Sequence, residues 1–98
     1  MRVYLDSSAI VKRYIEEDGS ETVAEFYEKA LDGEITLAFS IWNVGEVLGV
    51  LDKYLARGWI SRSEYNTALA SFRRETKRLI RLGILKVVLV KNRLLASS

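Results

Sequence analysis

Two carboxylates stand where chemistry can be assembled. Asp6 follows the short apolar segment Arg2-Val3-Tyr4-Leu5 and opens the polar cluster Asp6-Ser7-Ser8. Glu46 lies in Ile41-Trp42-Asn43-Val44-Gly45-Glu46-Val47-Leu48, just after a second apolar segment. What the chain lacks gives them weight. Without cysteine there are no disulfides, thiolate nucleophiles or sulfur-ligated zinc and iron sites. Without histidine, serine–histidine triads and imidazole metal sites are excluded as well. Reactive chemistry is left to carboxylate, lysine, tyrosine and hydroxyl groups. A catalytic metal would have to be hard and oxygen-ligated, such as Mg²⁺ or Mn²⁺.

Each candidate has a plainer reading. Open parallel α/β sheets form their sites beyond the carboxyl ends of the strands, and Asp6 falls at such a point. The same position suits a helix N-cap, whose oxygen accepts a hydrogen bond from an orphan helix N–H. Glu46 sits opposite the apolar stripe of its helix, where a glutamate is ordinarily a solvated surface residue. Gly45 and Gly49 flank it, and each costs up to about 1 kcal/mol relative to alanine inside a helix. Such glycines are usually retained for close approach of a backbone or ligand. Their Gly-x-x-x-Gly spacing is no membrane signal in so polar a segment. Trp42, one turn before Glu46, can stack on a base or fill the core, and core packing is the expectation. Further along, Arg73, Arg74, Lys77, Arg78 and Arg81 cluster opposite an apolar stripe, where they can track phosphates or form a solvated face.

The elements that must position these residues follow from periodicity and caps. Arg2–Leu5 reads as a strand, and Ala9–Ile15 as a helix after the capping cluster. Ser20 is expected to cap a second helix, with Val23, Phe26, Tyr27, Ala30 and Leu31 at helical spacing up to Gly33. Ile35–Phe39 reads as a buried strand. Ser40 opens a longer helix ending at Gly58, with Ile41, Val44, Val47, Leu48, Leu51, Tyr54 and Leu55 on one stripe. Ser61 and Glu64 form a capping box for the next helix. Its stripe is Tyr65, Ala68, Leu69, Phe72, Leu79 and Ile80, and Gly83 ends it. Ile84–Val90 is the third strand, and residues 91–98 begin a further element. Long helical crossovers between short apolar strands mean a parallel sheet covered by helices, in one α/β domain.

The 98 residues are 49% hydrophobic and 29% charged, within the ordinary globular range. No apolar run approaches the roughly 20 residues of a membrane span. Asp6 interrupts the start before a signal-peptide core can develop, so a cytoplasmic protein is expected. Glutamine and proline are absent, a thermolabile-poor composition that suggests a thermophile. Residues 1–50 carry four basic and ten acidic side chains, whereas residues 51–98 carry eleven and three. Such segregation sets an acidic region beside a basic one, useful for metal-assisted work on nucleic acid, or else makes two solvated faces.

Taken together, Val3-Tyr4-Leu5-Asp6-Ser7-Ser8-Ala9-Ile10-Val11-Lys12 and Ala38-Phe39-Ser40-Ile41-Trp42-Asn43-Val44-Gly45-Glu46-Val47-Leu48 resemble the PIN domain. That nuclease family includes the VapC-type toxins of toxin–antitoxin pairs. The resemblance extends over residues 1–90 and implies a three-layer α/β/α fold with a parallel sheet. It also implies a Mg²⁺- or Mn²⁺-dependent endoribonuclease, with Asp6 and Glu46 as catalytic metal ligands and Ser7 or Ser8 contacting substrate or water. RNA would be the substrate, with an antitoxin protein as partner. The family's remaining carboxylates come after the third strand, whereas no acidic residue follows Glu75 here. Only half of the acidic cluster is therefore expected, in a chain read as C-terminally incomplete.

In the family the first strand is flanked on its far side by a later one. Residues Arg2–Leu5 are accordingly expected to present an open edge that a homodimer or strand exchange covers. An inactive remnant serving as a protein-binding or assembly module is the alternative. Nucleic-acid binding without cleavage, resting on the basic helix alone, is a third.

Overall fold

A computed structural model describes residues 1–89. Three strands and four helices alternate as β1 (Arg2–Leu5), α1 (Ser7–Tyr14), α2 (Ser20–Leu31), β2 (Thr36–Ser40), α3 (Ile41–Ala56), α4 (Arg62–Arg81) and β3 (Leu85–Val88). The sheet order is β1-β2-β3 and both pairings are parallel. In register, Leu5 faces Phe39 across one pair and Phe39 faces Val87 across the other. The fold is α/β, as the element order implies.

Helices cover both faces of the sheet. Successive strand residues point to opposite faces, yet Leu37, Ala38 and Phe39 of β2 are all 0% exposed. This is the continuous burial of a central parallel strand, and it makes the architecture three layers. Ile10 and Val11 of α1, Val23 and Tyr27 of α2, Val47 and Leu51 of α3, and Phe72 and Leu79 of α4 close the core around it.

Local chemistry sets the helix ends. Ser61 and Glu64 make the reciprocal capping box, with Glu64 N–H donating to Ser61 Oγ at 3.0 Å and Ser61 N–H to Glu64 Oε1 at 2.8 Å. At the other end of α4, Gly83 N–H donates to the Ile80 carbonyl and Ile84 N–H to that of Leu79. This paired termination needs a left-handed residue, and Gly83 supplies it with φ 76°. The ends of α2 and α3 repeat the arrangement at Gly33 and Gly58.

Several expectations are corrected. Helix α1 begins at Ser7, because Asp6 alone serves as its N-cap. Ser20 is the first residue of α2 and does not cap it; Gly19 holds the cap position at φ 92°. The Ser20 hydroxyl instead closes the preceding loop, accepting from Glu17 N–H at 2.9 Å and donating to the Ile15 carbonyl at 3.2 Å. Ile41 and Leu48 are exposed, because the buried line of α3 runs through Val47 and Leu51. Leu31 and Ile80 are likewise exposed at the margins of their stripes. Strand β3 starts at Leu85, with Ile84 held in the helix-ending turn, and closes at Val88. Val90 and the element expected over residues 91–98 lie outside the described residues. No described helix is long and apolar enough to cross a membrane.

Candidate functional site

The parallel sheet sends the carboxyl ends of β1 and β2 to one edge of the domain, and both candidate carboxylates follow from there. Asp6 leaves β1 directly. Its Oδ1 accepts from Ala9 N–H at 2.9 Å and from the Ser8 hydroxyl at 3.0 Å. The residue is therefore an N-cap, and its orientation is fixed by the helix it starts. Among the described residues, only one of its carboxylate oxygens is engaged. Ser8 holds the carboxylate, while Ser7 is half-buried and makes no side-chain hydrogen bond among the described residues.

Glu46 is exposed on the second turn of α3. Asn43 Nδ2 donates to its Oε1 at 3.0 Å, while Asn43 Oδ1 accepts from Ser40 N–H at 3.3 Å. One side chain thus completes the Ser40 capping box and steadies the glutamate. Asn43 and Asp6 both line a depression of about 430 Å³, together with Val3, Tyr4, Leu5, Ala9 and Phe26. Asn43 shares that depression with Asp6 and holds Glu46 by a hydrogen bond, whereas Glu46 itself is not among the residues that line it. Sequence reasoning passed over Asn43, although the Ser40-x-x-Asn43 spacing is the capping-box signal in its asparagine form.

Neighbouring expectations fare differently. Trp42 is 54% exposed and is not a core residue, because it lies off the buried line of α3. A Cβ placed at Gly45 or Gly49 would meet nothing within 4 Å, so no described backbone approaches either glycine. Together with Ile41 and Leu48 they leave much of the outer surface of α3 apolar or bare.

The five clustered basic residues of α4, Arg73, Arg74, Lys77, Arg78 and Arg81, are all exposed, but they divide. Arg74 and Arg78 line a cavity of about 440 Å³ beside α1, whereas Arg73, Lys77 and Arg81 lie outside it. The carboxylate of that cavity, Glu75, accepts from Arg13 Nε at 3.0 Å, Arg13 Nη2 at 2.9 Å and the Tyr14 hydroxyl at 2.8 Å. Burial works to raise the Glu75 pKa, but the hydrogen bonds from Arg13 and Tyr14, with the guanidinium charge, outweigh it and hold it below its ordinary 4.5. Burial, Tyr27 and the Glu75 carboxylate push the Tyr14 phenol far above its usual range, so it stays a protonated donor.

The fit of a divalent cation rests on donor chemistry. Asp6 and Glu46 offer hard oxygen donors, and each keeps one oxygen outside the hydrogen bonds described. Hard oxygens of this kind would suit Mg²⁺ or Mn²⁺ only where both reach one ion, with water and phosphate supplying the remaining ligands. Among the described residues, no group of three or more acidic or imidazole side chains could hold a metal. No protein-family model matches the sequence, and no curated protein matches it significantly.

Proposed function

We propose that this chain carries half of the acidic site of a PIN-type, metal-dependent endoribonuclease, of the kind that acts as the toxin of a toxin–antitoxin pair. The observation that supports this reading is that Asp6 and Asn43 line one depression where the parallel strands β1 and β2 end, and that Asn43 holds the Glu46 carboxylate. Asp6 and Glu46 would hold Mg²⁺ or Mn²⁺. Bound there, the cation supplies an activated water and screens the phosphate charge of an RNA backbone. The protein's own groups set up that chemistry. The α1 cap and Ser8 orient Asp6, Asn43 orients Glu46, and the exposed rim leaves room for a strand to enter.

The test is cleavage of RNA by the full-length protein. Cleavage is expected with Mg²⁺ or Mn²⁺, and it should vanish with EDTA and in Asp6→Asn and Glu46→Gln. Equal cleavage by the parent and both variants would remove these residues from the reaction.

A second reading is favoured by Ile41, Trp42 and Leu48, which are exposed on the helix that carries Glu46. In this reading the domain is an inactive binding or assembly module, and an antitoxin-like protein or a second copy covers that surface. It requires partner binding that EDTA leaves intact and no cleavage by any form.

A further inference from the structure

We infer that the cavity between α1, the end of α2 and α4 is a phosphate-binding site, separate from the rim that holds Asp6 and Glu46. It lies at the opposite end of α1, where Arg13 and Tyr14 face α4. The inference does not rest on the nuclease reading.

Three observations carry it. The first is geometric. Ser71, Arg74 and Arg78 recur at helical spacing on one face of α4, and all line the same cavity. At about 1.5 Å rise per residue, the two arginines sit about 6 Å apart along the axis, on consecutive turns. The second is charge. Neither Arg74 nor Arg78 makes an ion pair among the described residues. The cavity's one carboxylate, Glu75, is already engaged by both prongs of Arg13 and by Tyr14. Arg78 also acts on the Glu75 carboxylate through its charge, but three arginines then share one carboxylate and the cavity wall keeps a surplus of positive charge. The third is chemistry. Guanidinium groups present planar, forked donors that match phosphate oxygens, and the Ser71 hydroxyl beside them adds another donor. A volume of about 440 Å³ is ample for a phosphate group with part of what it is attached to.

The shared ligand chemistry is a phosphate group, from a nucleic-acid backbone or from a free phosphate or nucleotide. The test uses the full chain in EDTA, which removes any contribution of divalent cations at the rim. Inorganic phosphate and a short single-stranded RNA are titrated separately, following backbone amide and arginine side-chain NMR signals.

Saturable shifts confined to Arg13, Ser71, Arg74 and Arg78 are expected with phosphate. Affinity should fall at least tenfold in Arg74→Ala/Arg78→Ala. Their side chains are exposed and make no hydrogen bond among the described residues, so the variant should remain folded by circular dichroism. Lys53→Ala/Lys86→Ala removes the same charge elsewhere and should change affinity less than twofold. RNA that competes with phosphate identifies a strand as the source. Phosphate that binds without such competition identifies a free phosphate or nucleotide, and either result supports the site. Non-saturating shifts spread equally over Arg73, Lys77 and Arg81 would overturn it. So would a polyglutamate peptide that binds as tightly as RNA, since that outcome assigns the groove to an acidic protein.

Discussion

Arg13 of α1 and Glu75 of α4 meet in a two-pronged ion pair, although 62 positions separate them in the chain. The guanidinium also lies over the Tyr27 ring, with its central carbon 4.4 Å from the ring centroid, so one side chain joins α1, α2 and α4. Both partners are about three-quarters shielded from solvent. That places the contact between a surface pair of little value and a fully buried pair that is costly to desolvate.

Glu75→Gln should therefore cost about 1.5–3 kcal/mol, the range for hydrogen bonds to charged groups. The pH dependence has a definite sign. Because the folded-state pKa of Glu75 lies below its ordinary 4.5, its contribution is present above that value and lost as pH falls through the folded pKa. Denaturant melts at pH 7 and at progressively lower pH should show the parent losing more stability than Glu75→Gln. Parallel pH profiles would show that the carboxylate charge contributes nothing.

Both tryptophans are more than half exposed, Trp42 at 54% and Trp59 at 59%. Their fluorescence at low protein concentration should resemble that of tryptophan in water and be readily quenched by acrylamide. Trp42→Ala should cost less than about 1 kcal/mol, against about 2–5 kcal/mol for Leu51→Ala in the core. Shielded emission at all concentrations would mean that these rings are covered in the state present in solution.

How far the sequence carries depends on the range of the signal. The order of elements, the Ser61–Glu64 capping box and the helix ends at Gly33, Gly58 and Gly83 are local. They are written in residues within a turn of each other, and the structure repeats them. Ile41 and Leu48 belong to the apolar stripe of α3 yet are exposed, because a helical wheel fixes relative angles and leaves open in which direction the sheet lies; Trp42, off that stripe, is exposed as well. The Arg13–Glu75 pair and the division of the α4 arginines had no sequence signal, since both depend on how α1 packs against α4. Asp6 was legible as both cap and candidate ligand. The structure establishes the cap, and the metal role remains part of the proposal.

Strand β1 is at one edge of the sheet, and its alternation fixes which groups are open. Thr36 N–H donates to the Met1 carbonyl, so Met1, Val3 and Leu5 turn their backbone groups toward β2, and Arg2 and Tyr4 turn theirs outward. If a second copy pairs with this edge, Tyr4→Pro should abolish the dimer, because it removes an outward N–H while leaving the β1–β2 ladder intact. Light scattering after size exclusion would show a dimer for the parent and a monomer for the variant. A monomeric parent at all concentrations would end the proposal of a homodimer through β1.

Asp6 has a structural duty and a proposed chemical one, and two substitutions separate them. Asp6→Ala deletes the acceptor for Ala9 N–H and should cost about 1 kcal/mol, the usual value of an N-cap. Asp6→Asn keeps a side-chain oxygen for Ala9 and Ser8, and asparagine caps about as well as aspartate, so stability should fall by no more than a few tenths of a kcal/mol. What Asp6→Asn loses is charge, and a hard cation depends on it. Mn²⁺ affinity, measured by calorimetry on the full-length protein, should then drop at least tenfold in both variants although only Asp6→Ala melts earlier. If Asp6→Asn binds Mn²⁺ as the parent does, the carboxylate serves only to start α1. Glu46→Gln provides the complementary measurement, because Glu46 makes no cap and its replacement should weaken Mn²⁺ binding with no loss of stability beyond its single hydrogen bond from Asn43.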